Sequence, residues 1–134
     1  MQHDPMWVSD PSERQRFIEA YIRWVTTKAP QDQWTFAEIH DAIWHSVEPD
    51  LMLDLVIEII NRVASDSHAL SYIAAGPLED LLGGKDSVMR RAEGEARSNA
   101  AFRIALCTVY GVRYDEPGYG ELHRLTSEER DKLP

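Results

Sequence analysis

The chain has 134 residues, of which 43% are hydrophobic and 28% charged, and its formal net charge is −9. This length and composition indicate one ordered globular domain and exclude a disordered chain. The negative charge argues against binding to a nucleic-acid backbone or an anionic membrane by bulk electrostatics, so we expect neither as a partner.

Cysteine usage and the longest apolar run bear on the compartment. Cys107 is the sole cysteine, which excludes an intrachain disulfide and suits a reducing environment. The first ten residues lack a basic start followed by an apolar run, and Glu58 interrupts the longest apolar stretch. The sequence therefore predicts a cytoplasmic protein without a secretory signal or a membrane span.

Two amphipathic helices are predicted in the first third of the chain. The first begins at Pro11 and closes at Ala29, where another proline follows. The second begins with a capping box of Thr35 and Glu38 and ends before Pro49. Its predicted buried face consists of Phe36, Ala37, Ile39, His40, Ile43, Trp44 and Val47.

Residues 50–64 predict the central helix of the fold, because apolar side chains cover most of its circumference. These apolar residues are Leu51, Leu53, Val56, Ile57, Ile60 and Ala64, flanked by Met52, Leu55, Ile59 and Val63. Asp50, Asp54 and Glu58 recur every four residues and form one polar stripe that continues to Arg62. We expect this stripe to stay uncovered, where like-charge repulsion costs a few tenths of a kcal/mol per pair.

The remaining elements are predicted to be shorter. A helical turn is expected over 69–75, and Gly76-Pro77 ends it and opens a second short helix over 78–82. Further helices are expected over 86–96 and 98–110.

The last part of the chain predicts an irregular tail over 112–134, with Thr126 and Glu129 capping one final short helix. The sequence thus predicts a single all-α domain over 1–134 with an ordered core at about 10–111. We expect a compact irregular bundle of about five to seven helices, which stacking in antiparallel pairs would also satisfy.

The most distinctive string runs from Tyr72 to Leu82 and contains A-A-G-P-L-E-D-L-L. A helix rich in Glu, Ala and Arg follows at 93–99, and an Arg-containing apolar helix follows at 102–106. Over about residues 50–111 the chain resembles a family of small, uncharacterised bacterial helical proteins, a domain of unknown function with this motif. The resemblance implies a helical fold and a bacterial setting, and it implies no catalytic residue.

The motif also has a structural interpretation. Gly76 is expected to supply a backbone conformation or a close approach that a side chain would block, and Pro77 to set the direction of the next helix. Glu79 and Asp80 would then lie in the first turn of that helix and complement its dipole. A ligand or partner site at the motif is the alternative.

Charge is distributed unevenly along the chain. No Lys or Arg occurs between Lys28 and Arg62. Seven acids fall in that interval, namely Asp32, Glu38, Asp41, Glu48, Asp50, Asp54 and Glu58. The four tryptophans, at positions 7, 24, 34 and 44, lie in the same half of the chain. A solvated acidic surface around a core that contains Trp24 and Trp44 explains this pattern, and so does a face that binds a basic partner.

The first functional hypothesis is a non-enzymatic acidic domain that docks onto a basic protein. Its most concrete version is a bacterial immunity-type inhibitor that covers the basic surface of a toxin or nuclease, which requires no cofactor. The predicted partner-binding residues are Glu38, Asp41, Trp44, Asp50, Asp54, Glu58, Glu79 and Asp80.

Two other hypotheses remain open. Glu38, Asp41 and His45 are spaced at i, i+3 and i+7, so they are candidates for metal ligands or acid-base groups of an enzyme. Asp50, Asp54 or Glu58 of the central helix would add a further carboxylate to this set. The Glu-x-x-His pattern of helical di-iron proteins is absent. A structural or homodimeric accessory domain is the third hypothesis.

Overall fold

A computed structural model describes residues 5–83, 86–109 and 120–132. These residues form helices and connecting turns with no strand, which confirms the predicted all-α fold. No helix in the described ranges is both long and apolar enough to cross a membrane.

The order of elements is as follows. The α-helices are α1 (Met6–Ser9), α2 (Pro11–Thr27), α3 (Trp34–Asp41), α4 (Pro49–Arg62), α5 (Ser67–Ile73), α6 (Glu79–Leu82), α7 (Asp86–Ser98), α8 (Ala100–Leu106) and α9 (Gly120–Lys132). A 3-10 turn, Pro30–Asp32, precedes α3, and two π-helical segments, Ala42–Ser46 and Ala74–Leu78, follow α3 and α5.

Helix α4 occupies the centre, as predicted. It contacts α5, α6, α7 and α8 and both π segments. Its buried side chains are Met52, Leu53, Leu55, Val56, Ile59 and Ile60. The ends of the predicted apolar surface are wrong, because Leu51 and Ala64 are exposed and the helix stops at Arg62.

Helix α2 follows the sequence prediction closely. The Asp10 carboxylate caps it by accepting a hydrogen bond from the backbone N–H of Glu13 at 3.0 Å. Phe17 and Ile18 lie on its buried face. The helix ends at Thr27, and the φ of 55° at the next residue, Lys28, lies in the left-handed region common at helix C-termini.

Helix α3 differs from its prediction at its start and on its buried face. The predicted capping box is absent, because the Thr35 hydroxyl is buried and donates to the carbonyl of Asp32 at 2.7 Å. Thr35, Ile39 and Ala42 face the core. Four residues of the predicted buried face are instead exposed: Phe36, Ala37, His40 and Trp44. The reason is that neighbouring helices cover only a narrow stripe of α3.

The predicted break at Gly76-Pro77 is wrong, because α5 continues through the second π segment into α6. Asp66 starts this run by accepting from the N–H of Ala69 at 3.0 Å. The wider π turn accommodates a proline that lacks an N–H. Glu79 and Asp80 therefore do not lie at a free helix N-terminus, and the predicted dipole role is wrong.

The predicted requirement for glycine at position 76 is also wrong. Gly76 does not adopt a positive φ, and a Cβ placed there meets no atom within 4 Å. Its backbone would accept other residues.

The C-terminal part combines confirmed and corrected predictions. Asn99 caps α8 by accepting from the N–H of Phe102 at 3.1 Å, as its position suggested. Helix α8 stops at Leu106. The end of the predicted helix over 98–110, at residue 110, and residues 112–119 and 133–134 of the predicted tail lie outside the described residues. Residues 120–132 were predicted as irregular chain and a short capped helix, yet they form the single helix α9. Thr126 and Glu129 are buried within α9, so they do not form a cap.

Candidate partner-binding site

The acids of α4 are paired with arginines of the same chain. Glu58 contacts Arg14 of α2 at 3.2 Å and Arg62 of α4 at 2.9 Å. Asp54 pairs with Arg91 of α7, and Asp50 lies 3.7 Å from the same guanidinium. The predicted unrelieved repulsion along this stripe is therefore wrong, because three helices supply compensating charge.

A further acid of the cation-free interval is also neutralised internally. Asp32 is 3% exposed, and its carboxylate accepts from Arg23 at 3.2 Å and 3.3 Å. Asp32, Asp50, Asp54 and Glu58, four of the seven acids in the interval without cations, thus lie next to arginines from elsewhere in the chain.

The acids of α3 are in a different situation. Glu38 and Asp41 are exposed, and neither forms an ion pair within the part of the chain that the structure describes. Large apolar side chains on the same stretch are also exposed, with 48% of Phe36 and 56% of Trp44 accessible. Negative charge and accessible aromatic rings therefore occur together on α3 and the first π segment.

A pocket of about 370 Å³ opens beside this surface. Its lining residues come from α2, from α3 with its π segment, and from α5 with the second π segment and α6. They are Tyr21, Phe36, Ile39, His40, Ile43, Tyr72, Ala75, Gly76, Pro77 and Asp80. The pocket is mostly apolar, and the distinctive motif forms one of its walls.

The polar groups of the pocket belong chiefly to Asp80 and His40. The Asp80 carboxylate lies 3.9 Å from Nδ1 of His40, which is too long for a hydrogen bond. The Asp80 side chain is 29% exposed and that of His40 is 60% exposed. No Lys or Arg of the described residues pairs with Asp80. The pocket therefore carries one carboxylate that no Lys or Arg of the described residues neutralises.

Tyr72 is held in place from outside the pocket. Its hydroxyl accepts a hydrogen bond from Nε1 of Trp24 at 3.3 Å. Nζ of Lys28 lies 3.8 Å from the centre of the Tyr72 ring and 4.9 Å from that of Trp24. This cation-π contact fixes the ring that forms one side of the pocket.

Tyr21 contributes to the pocket wall from α2, and its side chain is fully buried. Its hydroxyl makes no hydrogen bond within the described ranges. Burial, and secondarily the neighbouring Tyr72, raises the pKa of Tyr21 far above its ordinary value. The hydroxyl therefore stays neutral at any physiological pH.

Both π segments border the pocket, and sequence periodicity did not predict either. The first contributes Ile43, and its widened turn is seen in the hydrogen bond from the N–H of Val47 to the carbonyl of Ala42 at 3.1 Å. The second contributes Ala75, Gly76 and Pro77. Single π turns occur frequently at functional sites.

The proposed metal ligands are not brought together. Glu38, Asp41 and His45 belong to no group of three or more His, Cys, Asp or Glu residues, in the described ranges, that could hold a metal ion. The first π segment begins at Ala42 and changes the helical register before His45. The i, i+3, i+7 spacing therefore does not place His45 where a regular α-helix would.

The predicted partner-binding residues thus fall into separate groups. Glu38, Asp41 and Trp44 lie on α3 and its π segment, and Asp80 lies across the pocket. Asp50, Asp54 and Glu58 lie on α4 in internal ion pairs, and Glu79 also interacts within the chain. Sequence reasoning missed Phe36, Ile43 and Tyr72 as pocket residues. Their large apolar side chains, aromatic in Phe36 and Tyr72, were the only signal in the sequence.

The structure is thus an all-α domain with a mostly apolar pocket beside an exposed helix. The model of a family of unknown function, DUF6869, matches residues 21–119, and the chain belongs to this family. The match begins upstream of the resemblance at residues 50–111 and includes every residue that lines the pocket. No curated protein and no solved structure matched the chain.

Proposed function

We propose that this protein is a non-enzymatic binding domain that docks onto a basic protein. The docking surface, called the α3 face, is the exposed circumference of α3 and the first π segment, together with the adjoining pocket. Phe36, His40 and Trp44 lie on or next to the pocket side, and Glu38 and Asp41 lie further round the helix. The partner would be captured by charge and held by aromatic contacts.

One observation carries this proposal: the acids of α4 are neutralised by Arg14, Arg62 and Arg91, whereas Glu38 and Asp41 are left without a cation in the described residues. Exposed acids without partners raise the local negative potential, which speeds association with a basic surface. This distribution favours the α3 face over the α4 stripe as the site of docking.

The exposed aromatic residues supply the second requirement of a binding face. Trp and other large aromatic side chains are enriched among the residues that dominate binding energy. Trp44 and Phe36 are accessible next to a preformed pocket, so they could be covered by a partner without rearranging the core. Charged and aromatic groups together give both fast capture and slow release.

The most concrete form of the proposal is an inhibitor of the immunity type, which covers the basic cleft of a toxin or nuclease in a bacterial cytoplasm. Such a protein needs no cofactor and no chemistry of its own. The A-A-G-P-L-E-D-L-L motif would then serve partner recognition through Asp80 and the backbone around Gly76, beyond its role in packing.

The experiment is capture of partners from the host lysate by three tagged proteins, followed by titration with the purified partner. The wild type is compared with E38Q/D41N and with a control, E128Q/D131N. The control removes two acids from the exposed side of α9, so both variants have the same net charge. We expect a basic protein to bind the wild type and the α9 variant at low salt. Binding to E38Q/D41N should be weaker by about tenfold.

Equal loss of binding in both variants would mean that net charge, and not the α3 face, governs association. An unchanged affinity of E38Q/D41N would contradict the proposal. Sedimentation of the protein alone at several concentrations tests the homodimer hypothesis in the same preparation.

A further inference from the structure

We propose that the pocket beside α3 receives a single arginine side chain of the basic partner. This inference rests on the proposed function and deepens it, because it assigns the residue type that anchors the complex. The arginine stem would pack on the apolar wall and its guanidinium would meet the Asp80 carboxylate.

The size of the pocket limits what can enter it. At about 370 Å³ it lies at the small end of the range for ligand pockets, roughly 300–1,000 Å³. This space holds one long side chain, whereas a helix laid in a groove needs several anchor positions. Of the elements that a protein partner can present, a single protruding side chain therefore fits the pocket.

The chemistry of the lining selects a cation with an apolar stem. Ile39, Ile43 and Pro77 offer aliphatic contacts, and Phe36 and Tyr72 offer aromatic rings. An apolar residue would fill this space but leave the carboxylate unpaired. A small hydrated cation would pair with the carboxylate but would make no apolar contact with the pocket walls.

Arginine fits this combination better than lysine does. Its planar guanidinium is weakly hydrated, stacks on aromatic faces and forms paired hydrogen bonds with a carboxylate. Asp80 is available for such a pair, because no Lys or Arg of the described residues pairs with it and Nδ1 of His40 lies 3.9 Å away, beyond hydrogen-bond distance. The same preference agrees with a partner surface that is basic overall.

Gly76 provides a way to block the pocket without disturbing the fold. It lines the pocket, and a Cβ placed there meets no atom within 4 Å. The variant Gly76→Leu therefore adds a side chain at the wall of the pocket while the core stays intact. Asp80→Asn removes the charge and keeps the shape.

The test is a titration of the protein with N-acetyl-arginine amide, followed by backbone amide shifts in nuclear magnetic resonance. N-acetyl-citrulline amide is the neutral control of equal shape, and the lysine and leucine amides are further probes. We expect shifts at residues 36–43 and 72–80, with arginine bound about fivefold more tightly than citrulline. Both D80N and G76L should lose this preference while their melting curves stay cooperative.

Three results would overturn the assignment: no shifts at the pocket, equal binding of arginine and citrulline, or stronger binding of leucine. Failure here is distinct from failure of the proposed function. If the purified partner still depends on Glu38 and Asp41 but binds G76L as tightly as the wild type, the α3 face binds the partner and the arginine assignment alone is wrong.

Discussion

Tyr21 has the largest side chain that is fully buried, and its hydroxyl has no hydrogen-bond partner within the described residues. A buried polar group without a partner costs about 1–3 kcal/mol of desolvation, so removing it should not weaken the fold. We predict that Tyr21→Phe leaves the free energy of unfolding unchanged or raises it by up to about 1 kcal/mol. Urea unfolding monitored by circular dichroism measures this difference.

A loss of more than about 1 kcal/mol in Tyr21→Phe would show that the hydroxyl has a partner in solution. Tyr72→Phe is the matched control, because its hydroxyl does accept a hydrogen bond, from Trp24. That variant should lose stability while Tyr21→Phe does not.

We predict that the thiol of Cys107 reacts slowly with alkylating reagents in the folded protein. Its Sγ donates to the carbonyl of Thr126 at 3.4 Å, and burial raises the pKa of the thiol, an effect that the charge of Arg130 opposes in part. Only the thiolate attacks alkylating reagents, so a raised pKa lowers the reactive fraction at neutral pH. We expect iodoacetamide to react with the folded protein more slowly than with the urea-unfolded protein at pH 7. Equal rates would contradict this account.

Residue types alone did not reveal which acids are free. The sequence places Arg91 thirty-seven residues from Asp54, and only the packing of α7 on α4 brings them together. The interval without cations is therefore real in the sequence, but the unrelieved repulsion expected from it is absent along α4. Likewise Phe36 and Trp44 occur at spacings that fit a buried face, and the absence of a covering helix leaves them exposed.

At the scale of elements, a substitution in the second π segment tests whether position 76 requires glycine. Gly76 adopts no positive φ and has open space around its Cβ position, so alanine can replace it without strain. Alanine restricts the unfolded chain more than glycine does and favours helical backbone. We predict that Gly76→Ala raises the free energy of unfolding by about 0.5–1 kcal/mol. A loss of stability would indicate a requirement for glycine that the backbone geometry does not explain.

The attachment of α9 to α7 should depend on pH through one ion pair. Hydrogen bonding and charge from Arg97 lower the pKa of Glu121 below its ordinary value of 4.5. Because the folded-state pKa is depressed, the stabilisation is present above the unfolded-state pKa and is lost as the pH falls through the folded-state pKa. Both side chains are partly exposed, so the effect is small.

Comparison of the wild type with Glu121→Gln isolates this contribution. We predict that the difference between their melting temperatures is measurable at pH 7 and shrinks as the pH falls below about 4. A difference that stays constant between pH 7 and pH 3 would contradict a role for the Glu121 carboxylate.

The elements differ in how well the sequence predicts them. Helices α2 and α4 carry long 3.6-residue periodicity, and α2 has a capping aspartate, so their positions were predicted within a few residues. The two π segments were not, because one extra residue in a turn leaves no mark on composition. Pro77 indicated a helix break, but it lies inside the second π segment, whose wider turn accommodates a proline without ending the helix.

At the scale of the whole molecule, the net charge of −9 does not translate into a uniformly acidic surface. Arginines of α2, α4 and α7 compensate the acids of the central helix, whereas Glu38 and Asp41 of α3 are exposed and form no ion pair in the described residues. The sequence predicted the fold class and the central helix. It did not predict the pocket, which needs α2, α3 and the run from α5 to α6 to meet in space.

The central claim is that the α3 face captures a basic protein. The most direct measurement is the association rate of the purified partner at increasing ionic strength, for the wild type, E38Q/D41N and D50N/D54N/E58Q. We predict that E38Q/D41N associates more slowly and with a flatter salt dependence, because steering by exposed charge is screened over about 10 Å at 0.1 M salt. The α4 variant should have a lower free energy of unfolding than the wild type but associate with the partner at nearly the same rate. The reverse pattern, with the wild-type rate in E38Q/D41N and slow association in the α4 variant, would contradict the account.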